Sequence, residues 1–190
     1  AKAREKARQA ACLSNMKQFG NAVEMYKQDY DQTYCGAYVY RGTWGDVSQL
    51  YWFPVTLEPY TKNRQIGICP SGYSVESYAR PDTYDTGAGG VKFSYCYSDW
   101  VGWNQEANIK QPATTILIFE ADSTRSGNKY GMMEAWDWSQ VDTSYVNSNS
   151  GASVVGYRHN DGFNAILCDG HAKWYKAGST KQSMYTPAED

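Results

Sequence analysis

The chain has 190 residues, 42% hydrophobic and 20% charged, with 17 Gly and 6 Pro. This is ordinary globular usage at a length that suits one domain, and it excludes collagen-like, disordered and low-complexity classes. No stretch approaches a run of about 18 apolar residues and mean hydropathy is −0.66, so the sequence as it stands contains no membrane-spanning helix. The net charge of −2 hides an asymmetry. Residues 1–11 carry Lys2, Arg4, Lys6 and Arg8 against Glu5, while the rest of the chain carries 14 basic and 19 acidic residues. A basic end of this kind suits nucleic acid, a membrane surface or a solvated helix terminus.

Residues 1–31 read as a helix, because Cys12, Met16, Phe19, Val23, Tyr26 and Tyr30 recur every three or four positions and Lys17, Gln18, Asn21, Gln28 and Asp31 lie opposite. Met16, Phe19, Val23 and Tyr26 are its expected packing residues. Gly20 interrupts the pattern at a cost of about 1 kcal/mol that packing can absorb. No Ser, Thr, Asp or Asn caps the first turn, which suggests that the helix continues upstream of residue 1.

Residues 32–112 lose periodicity and form a loop-rich middle. A short helical turn is expected within 47–60, interrupted by Pro54 and Pro59, and short strands at Ile66 to Cys69 and Val91 to Tyr97. The glycine-rich stretch 85–90 lacks the strand before it and the helix after it that a phosphate loop needs. The run from Thr114 to Ala121, TTILIFEA, has the composition of a buried, central strand. A three-stranded meander should follow, from Val154 to Arg158, Phe163 to Cys168 and His171 to Tyr175. Asn160-Asp161-Gly162 and Asp169-Gly170 would supply its turns, with Asp169-Gly170 as a type I′ turn. The sheet thus occupies 113–176, and 177–190 reads as a short polar tail. The fold class is α+β: one long N-terminal helix packed on an antiparallel sheet, its stripe facing Ile116, Ile118 and Ala165 or Ile166.

Cys12, Cys35, Cys69, Cys96 and Cys168 include no CxxC pair, so zinc-ribbon, thioredoxin and haem spacings are absent and nothing marks a metal-thiolate centre. Cys12 lies on the core-facing stripe, and Cys69 ends a short strand beside Pro70. A Cys12–Cys69 disulfide is therefore expected, with Cys35–Cys96 as a second pairing and Cys168 as a buried thiol.

Catalysis finds little support. His159, Cys168, Asp169 and His171 include the residue types of a thiol nucleophile, its base and an orienting carboxylate, and Cys168 and His171 should share a face across a hairpin turn. A sheet surface, however, supplies no oxyanion donors. Glu134 with Asp137, or Glu120 with Asp122, are carboxylate pairs without the marks of a glycosidase site. Asp122, Asp161 and Asp169 end strands or lie in turns and would suit calcium if they converge. Trp44, Tyr51, Trp52, Trp100, Trp103, Trp136 and Trp138 fall in loop-like stretches. Trp136-Asp137-Trp138 alternates ring, carboxylate and ring, the pattern of a glycan contact, although such rings also pack loops onto sheets.

Four segments carry a family likeness: AKAREKARQAACLSNMKQFGNAVEMYKQDYDQTY at the start, NRQIGICPS at 63–71, PATTILIFEADS at 112–123 and RHNDGFNAILCDGHAKWY at 158–175. The last contains His159, nine intervening residues and Asp169-Gly170. In content and order these 73 residues resemble bacterial type IV pilin-like proteins of the prepilin-processing-associated group, whose terminal motif is His-x9-Asp-Gly. The resemblance implies a leader and a hydrophobic helix upstream of residue 1, an inner-membrane anchor before assembly, and a periplasmic or cell-surface filament afterwards. It further implies a non-catalytic structural subunit of a type IV pilus-like or type II secretion pseudopilus-like filament. Its partners would be other pilin-like subunits and not nucleic acid, with no cofactor unless calcium binds. His159, Asp169 and Gly170 would be structural, bonding turn backbone groups. The alternative is a carbohydrate-binding module displayed on the same scaffold, with polysaccharide as its partner.

Overall fold

Between residues 2 and 29 the only β-branched side chain is Val23 and the only helix breaker is Gly20, so helix is the favoured local state. A computed structural model, which describes residues 2–40, 50–72, 75–76, 92–120, 132–133 and 155–187, has helix α1 over Lys2–Asp29. The helix ends where Asp31 and Gln32 turn left-handed, with φ of 49° and 56°, and Gln32 N–H closes on the Lys27 carbonyl at 2.8 Å. Cys12, Met16, Phe19, Ala22, Val23 and Tyr26 are buried, as is Gly20. A Cβ at Gly20 would lie 3.2 Å from Ile166 Cγ2, so this glycine permits close approach of the helix to the sheet.

The aromatic middle forms strand β1 (Tyr38–Tyr40) and strand β2 (Leu50–Trp52), paired antiparallel. Two single-turn helices follow, α2 (Phe53–Thr56) and α3 (Glu58–Thr61), each with proline in its first turn. Pro54 and Pro59 therefore start two turns instead of interrupting one, because an N-terminal position needs no backbone donor. Where a strand was expected at Ile66 to Cys69, Arg64–Gly67 is a 3₁₀ turn, opened by Asn63 Oδ1 accepting from the Gln65 N–H at 3.0 Å.

Two short strands, β3 (Val75–Glu76) and β4 (Lys92–Phe93), pair with each other. The main sheet contains β5 (Tyr95–Ser98), β6 (Ile116–Glu120), β7 (Met132–Met133), β8 (Gly162–Leu167) and β9 (Ala172–Lys176). Its order is β7-β5-β6-β8-β9, so the TTILIFEA run is central. Every pairing is antiparallel except the edge pairing of β7 with β5.

Both faces of this sheet are covered. Tyr95, Tyr97, Ile118 and Ile166 join the core beneath α1, while Cys96, Ile116, Phe119, Phe163, Ala165 and Leu167 form a second core on the other face with Val155 and Tyr185. Ile116 thus faces away from the helix, contrary to expectation, because the β6–β8 register shifts between Ile116 and Ile118. The expected polar tail is also structured. Gln182–Tyr185 is a 3₁₀ turn, Tyr185 is fully buried with its ring edge-on to Phe119 at 5.5 Å, and Ser98 Oγ donates to the Tyr185 carbonyl at 2.8 Å.

The expected meander keeps two of its three strands. Residues 156–158 are not a strand. Instead Val155 forms a single bridge, Gly156 N–H donates to the Glu120 carbonyl at 2.8 Å, and β6 occupies the place beside β8. The turn chemistry moves as well. Asn160 and Asp161 have φ of 54° and 59°, and His159 and Gly162 exchange both backbone bonds at 3.0 and 3.1 Å, which is the type I′ arrangement. In the turn between β8 and β9 only Gly170 is left-handed, at φ 81°. Its N–H bonds the Leu167 carbonyl at 3.0 Å, and Leu167 N–H bonds the His171 carbonyl at 2.8 Å. Asp169-Gly170 is therefore a turn that ends in a glycine bulge, not a type I′ turn.

Candidate functional site

Four elements bring one reactive side chain each to the same buried point. The α1 stripe supplies Cys12, the loop after the 3₁₀ turn supplies Cys69, the last residue of β6 supplies Glu120, and the residue before the type I′ turn supplies His159. Cys12, Glu120 and His159 are 0% exposed and Cys69 is 1% exposed. One donor atom from each lies within 4.8 Å of the others. Cys12 Sγ donates to Glu120 Oε1 at 2.8 Å and lies 3.1 Å from the Tyr95 hydroxyl. His159 Nε2 lies 2.8 Å from the same Oε1 and 3.3 Å from Cys69 Sγ.

A second layer fixes these groups. Glu120 Oε2 accepts the Asn164 N–H at 2.7 Å. His159 Nδ1 is 2.7 Å from Glu5 Oε1, and Ser71 Oγ donates to both Glu5 oxygens at 2.9 and 3.1 Å. The Cys69 N–H donates to Ser94 Oγ at 2.9 Å.

The electrostatics follow from these contacts. The hydrogen bond from Cys12 lowers the Cys69 thiol to about 6 despite burial, and the contact with His159 assists. Cys12 moves the other way, well above the ordinary thiol range, through the same bond, burial and the charge of Glu120. Burial disfavours an imidazolium at His159, but the hydrogen bonds with Cys69, Glu120 and Glu5 outweigh it and raise the group to about 10. For Glu5, burial pushes upward, yet the bonds from His159 and Ser71 leave its carboxyl below the usual range.

The expected disulfides are not formed. Cys12 and Cys69 do meet, but as thiols engaged with Glu120 and His159. Cys35 and Cys96 lie in separate cores on opposite sides of the sheet, with Cys35 Sγ directed to the Tyr97 hydroxyl at 3.5 Å. A bond between them would have to cross β5. Cys168 is a buried thiol, raised to about 12 chiefly by burial. It shares no face with His171, whose side chain is 80% exposed and paired with Asp169 at 2.8 Å. Asp169 does bond turn backbone, accepting the His171 N–H at 3.0 Å. The His159 ring instead enters the cluster.

Asp161 and Asp169 flank opposite ends of β8 and do not converge on a calcium site. Asp122, Glu134, Asp137, Trp44, Trp136, Trp138 and the stretch 85–90 lie outside the described residues. Trp52 is buried, and Trp103 is half exposed, its ring occupying the space a Cβ at Gly36 would need.

The described helices include none long and apolar enough to cross a membrane. A family model described as a protein of unknown function (DUF1559) matches residues 1–128. The chain belongs to that family. DUF1559 proteins are associated with pilin-like, prepilin-type proteins, in keeping with a long N-terminal helix laid on a largely antiparallel sheet. The DUF1559 match spans Cys12, Cys69 and Glu120 and ends before His159 and Asp169-Gly170. No curated protein and no solved structure matches the chain.

Proposed function

We propose that this chain is the globular part of a non-catalytic pilin-like subunit. The subunit is anchored in the inner membrane by a helix upstream of residue 1 and then assembled with other pilin-like subunits into an extracytoplasmic filament of the pilus or pseudopilus kind. The observation that carries this reading is the division of α1. From Cys12 onward one face is buried, whereas residues 2–11 are exposed or half-exposed, and Lys2, Arg4 and Lys6 stand in solvent along them. Such a half-helix places cationic charge beside lipid headgroups before assembly and toward the acidic surface of neighbouring subunits afterwards. Exposed pairs contribute little individually, so the apolar upstream helix drives assembly and the charges set register.

To test this, the complete reading frame is expressed with its processing peptidase, and surface filaments are sought by electron microscopy. A variant reversing Lys2, Arg4 and Lys6 to Glu is compared in parallel. Arg8 is left intact because it lies 3.7 Å from Glu5. Filaments that contain the chain, and are lost or misassembled in the reversed variant, are the expected result. A processed protein that remains in the membrane and associates with no pilus or pseudopilus component would overturn the reading.

A further inference from the structure

We propose that Cys12, Cys69, Glu120 and His159 form a closed site for one structural zinc ion, which staples α1 to the sheet. This goes beyond the filament reading and does not depend on it.

The donor set points to the ion. Two sulfurs, one imidazole nitrogen and one carboxylate oxygen suit a borderline-soft tetrahedral cation. Calcium takes six to eight oxygen ligands and magnesium an octahedron of oxygens, whereas this cluster offers oxygen from Glu120 alone. The donors come from four separate elements at positions 12, 69, 120 and 159, so no short ligand spacing announces them in the sequence. Zinc bond lengths of about 2.0 to 2.3 Å imply donor separations of roughly 3.3 to 3.8 Å. The observed contacts of 2.8 to 3.3 Å are those of a cluster held together by protons. A shift of roughly 0.5 Å per contact, within reach of side-chain rotation, gives the separations zinc requires.

The surroundings are those of a metal site. A ligating histidine ordinarily gives its second ring N–H to a carboxylate, which fixes tautomer and orientation. Here Glu5 Oε1 stands 2.7 Å from His159 Nδ1 and is itself held by Ser71, leaving Nε2 directed at Cys69 and Glu120. Glu120 is divided in the same way. Its Oε2 is taken by the Asn164 N–H, and Oε1 faces the cluster. Two thiolates and a carboxylate around a divalent ion leave one negative charge, toward which the Tyr95 hydroxyl and the Asn164 N–H supply donors. The charge on Glu5 lies outward, beside Arg8. On loading, the protons that the sulfurs and Nε2 still carry leave to solvent.

Burial specifies the kind of site. All four ligands are at most 1% exposed, and four protein donors complete a tetrahedron with no position left for substrate, which is the structural and not the catalytic arrangement. A bound ion would take over from the His159 imidazolium as the positive partner of the fully buried Glu120 carboxylate at the end of the central strand.

The experiment uses the 190-residue chain, purified anaerobically without chelator from zinc-supplemented cells. One zinc per chain by elemental analysis is expected. Cobalt substitution should give thiolate charge-transfer and tetrahedral ligand-field bands. Chelation of the wild-type chain should lower its thermal midpoint, with recovery on adding zinc but not calcium or magnesium. Cys69→Ser and Glu120→Gln should each weaken zinc binding at least tenfold, and Glu5→Gln by about tenfold to a hundredfold with all ligands kept. Cys35→Ala, which removes a buried thiol outside the cluster, should retain one zinc. The chelation arm needs no substitution, so an unfolded variant does not spare the proposal. Three results would each overturn it: reduced wild-type chain that takes up neither zinc nor cobalt, a cobalt spectrum unchanged in both Cys12→Ser and Cys69→Ser, or a Cys12–Cys69 disulfide in protein isolated from its own compartment.

Discussion

His159 Nδ1 lies 2.7 Å from Glu5 Oε1, joining the first turn of α1 to a residue 154 positions later in the chain. With Gln9, which accepts from the Asn160 side chain at 3.0 Å, Glu5 docks a helix half that buries nothing apolar. Glu5→Ala removes the bonds to both His159 and Ser71. Side-chain exposure of 26% tempers the loss, so we expect destabilisation of about 1 to 2 kcal/mol, and less for Glu5→Gln. Urea unfolding of both variants checks the order, and equal losses would contradict it.

Phe19 anchors the apolar half. Its ring is 2% exposed and meets Phe53 and Tyr95 edge-on, at centroid distances of 5.9 and 6.1 Å. Phe19→Ala should cost roughly 3 to 5 kcal/mol. A denaturation midpoint within experimental error of wild type would place the packing elsewhere.

The hairpin at 159–162 allows opposite outcomes at neighbouring positions. Asp161 is held left-handed, so Asp161→Gly should stabilise by up to about 1 kcal/mol. Gly162 has to stay small for another reason: a Cβ there would run into the Tyr175 carbonyl oxygen and the Trp174 ring. The Trp174 indole cannot easily yield, because its N–H donates to the His159 carbonyl at 2.8 Å. Gly162→Ala should therefore destabilise by about 2 kcal/mol or more. Thermal melts that moved both variants in the same direction would refute this account of the turn.

Cys35 and Cys96 belong to different cores. Peptide mapping of oxidised, folded protein should recover no fragment linking them. Such a fragment in material with native circular dichroism would mean that the strand faces are assigned wrongly.

How far the sequence disclosed this molecule depends on the range of the interactions. The helix was legible because the spacing of Cys12, Met16, Phe19, Val23 and Tyr26 is a property of the helix itself. The central position of β6 was legible from an uninterrupted apolar run. The flanks were not. Residues 154–158 look extended, but the place beside β8 was taken by β6, a choice made by tertiary pairing. Asp-Gly at 169–170 signalled a turn, while the type I′ geometry fell to Asn160-Asp161, since short polar side chains also tolerate the left-handed region. In the cluster, the meeting of Cys12 and Cys69 could be anticipated from the stripe. Glu120 was weighed only beside Asp122 and set aside, although a carboxylate inside a buried strand signals that a partner must exist. His159 was assigned to turn backbone because nothing local links it to residues 5, 69 or 120.

Tyr185 closes the face of the sheet that α1 does not touch. A chain emerging N-terminus first can form every described strand of that sheet before this ring arrives, and until then Phe119 lacks the ring that packs edge-on against it. That interval is when a holding chaperone, or a second unfinished copy, meets apolar surface that the finished domain hides. A truncation before Tyr185 would make the interval permanent, whereas a fusion partner attached beyond Pro187 would let the ring seat first.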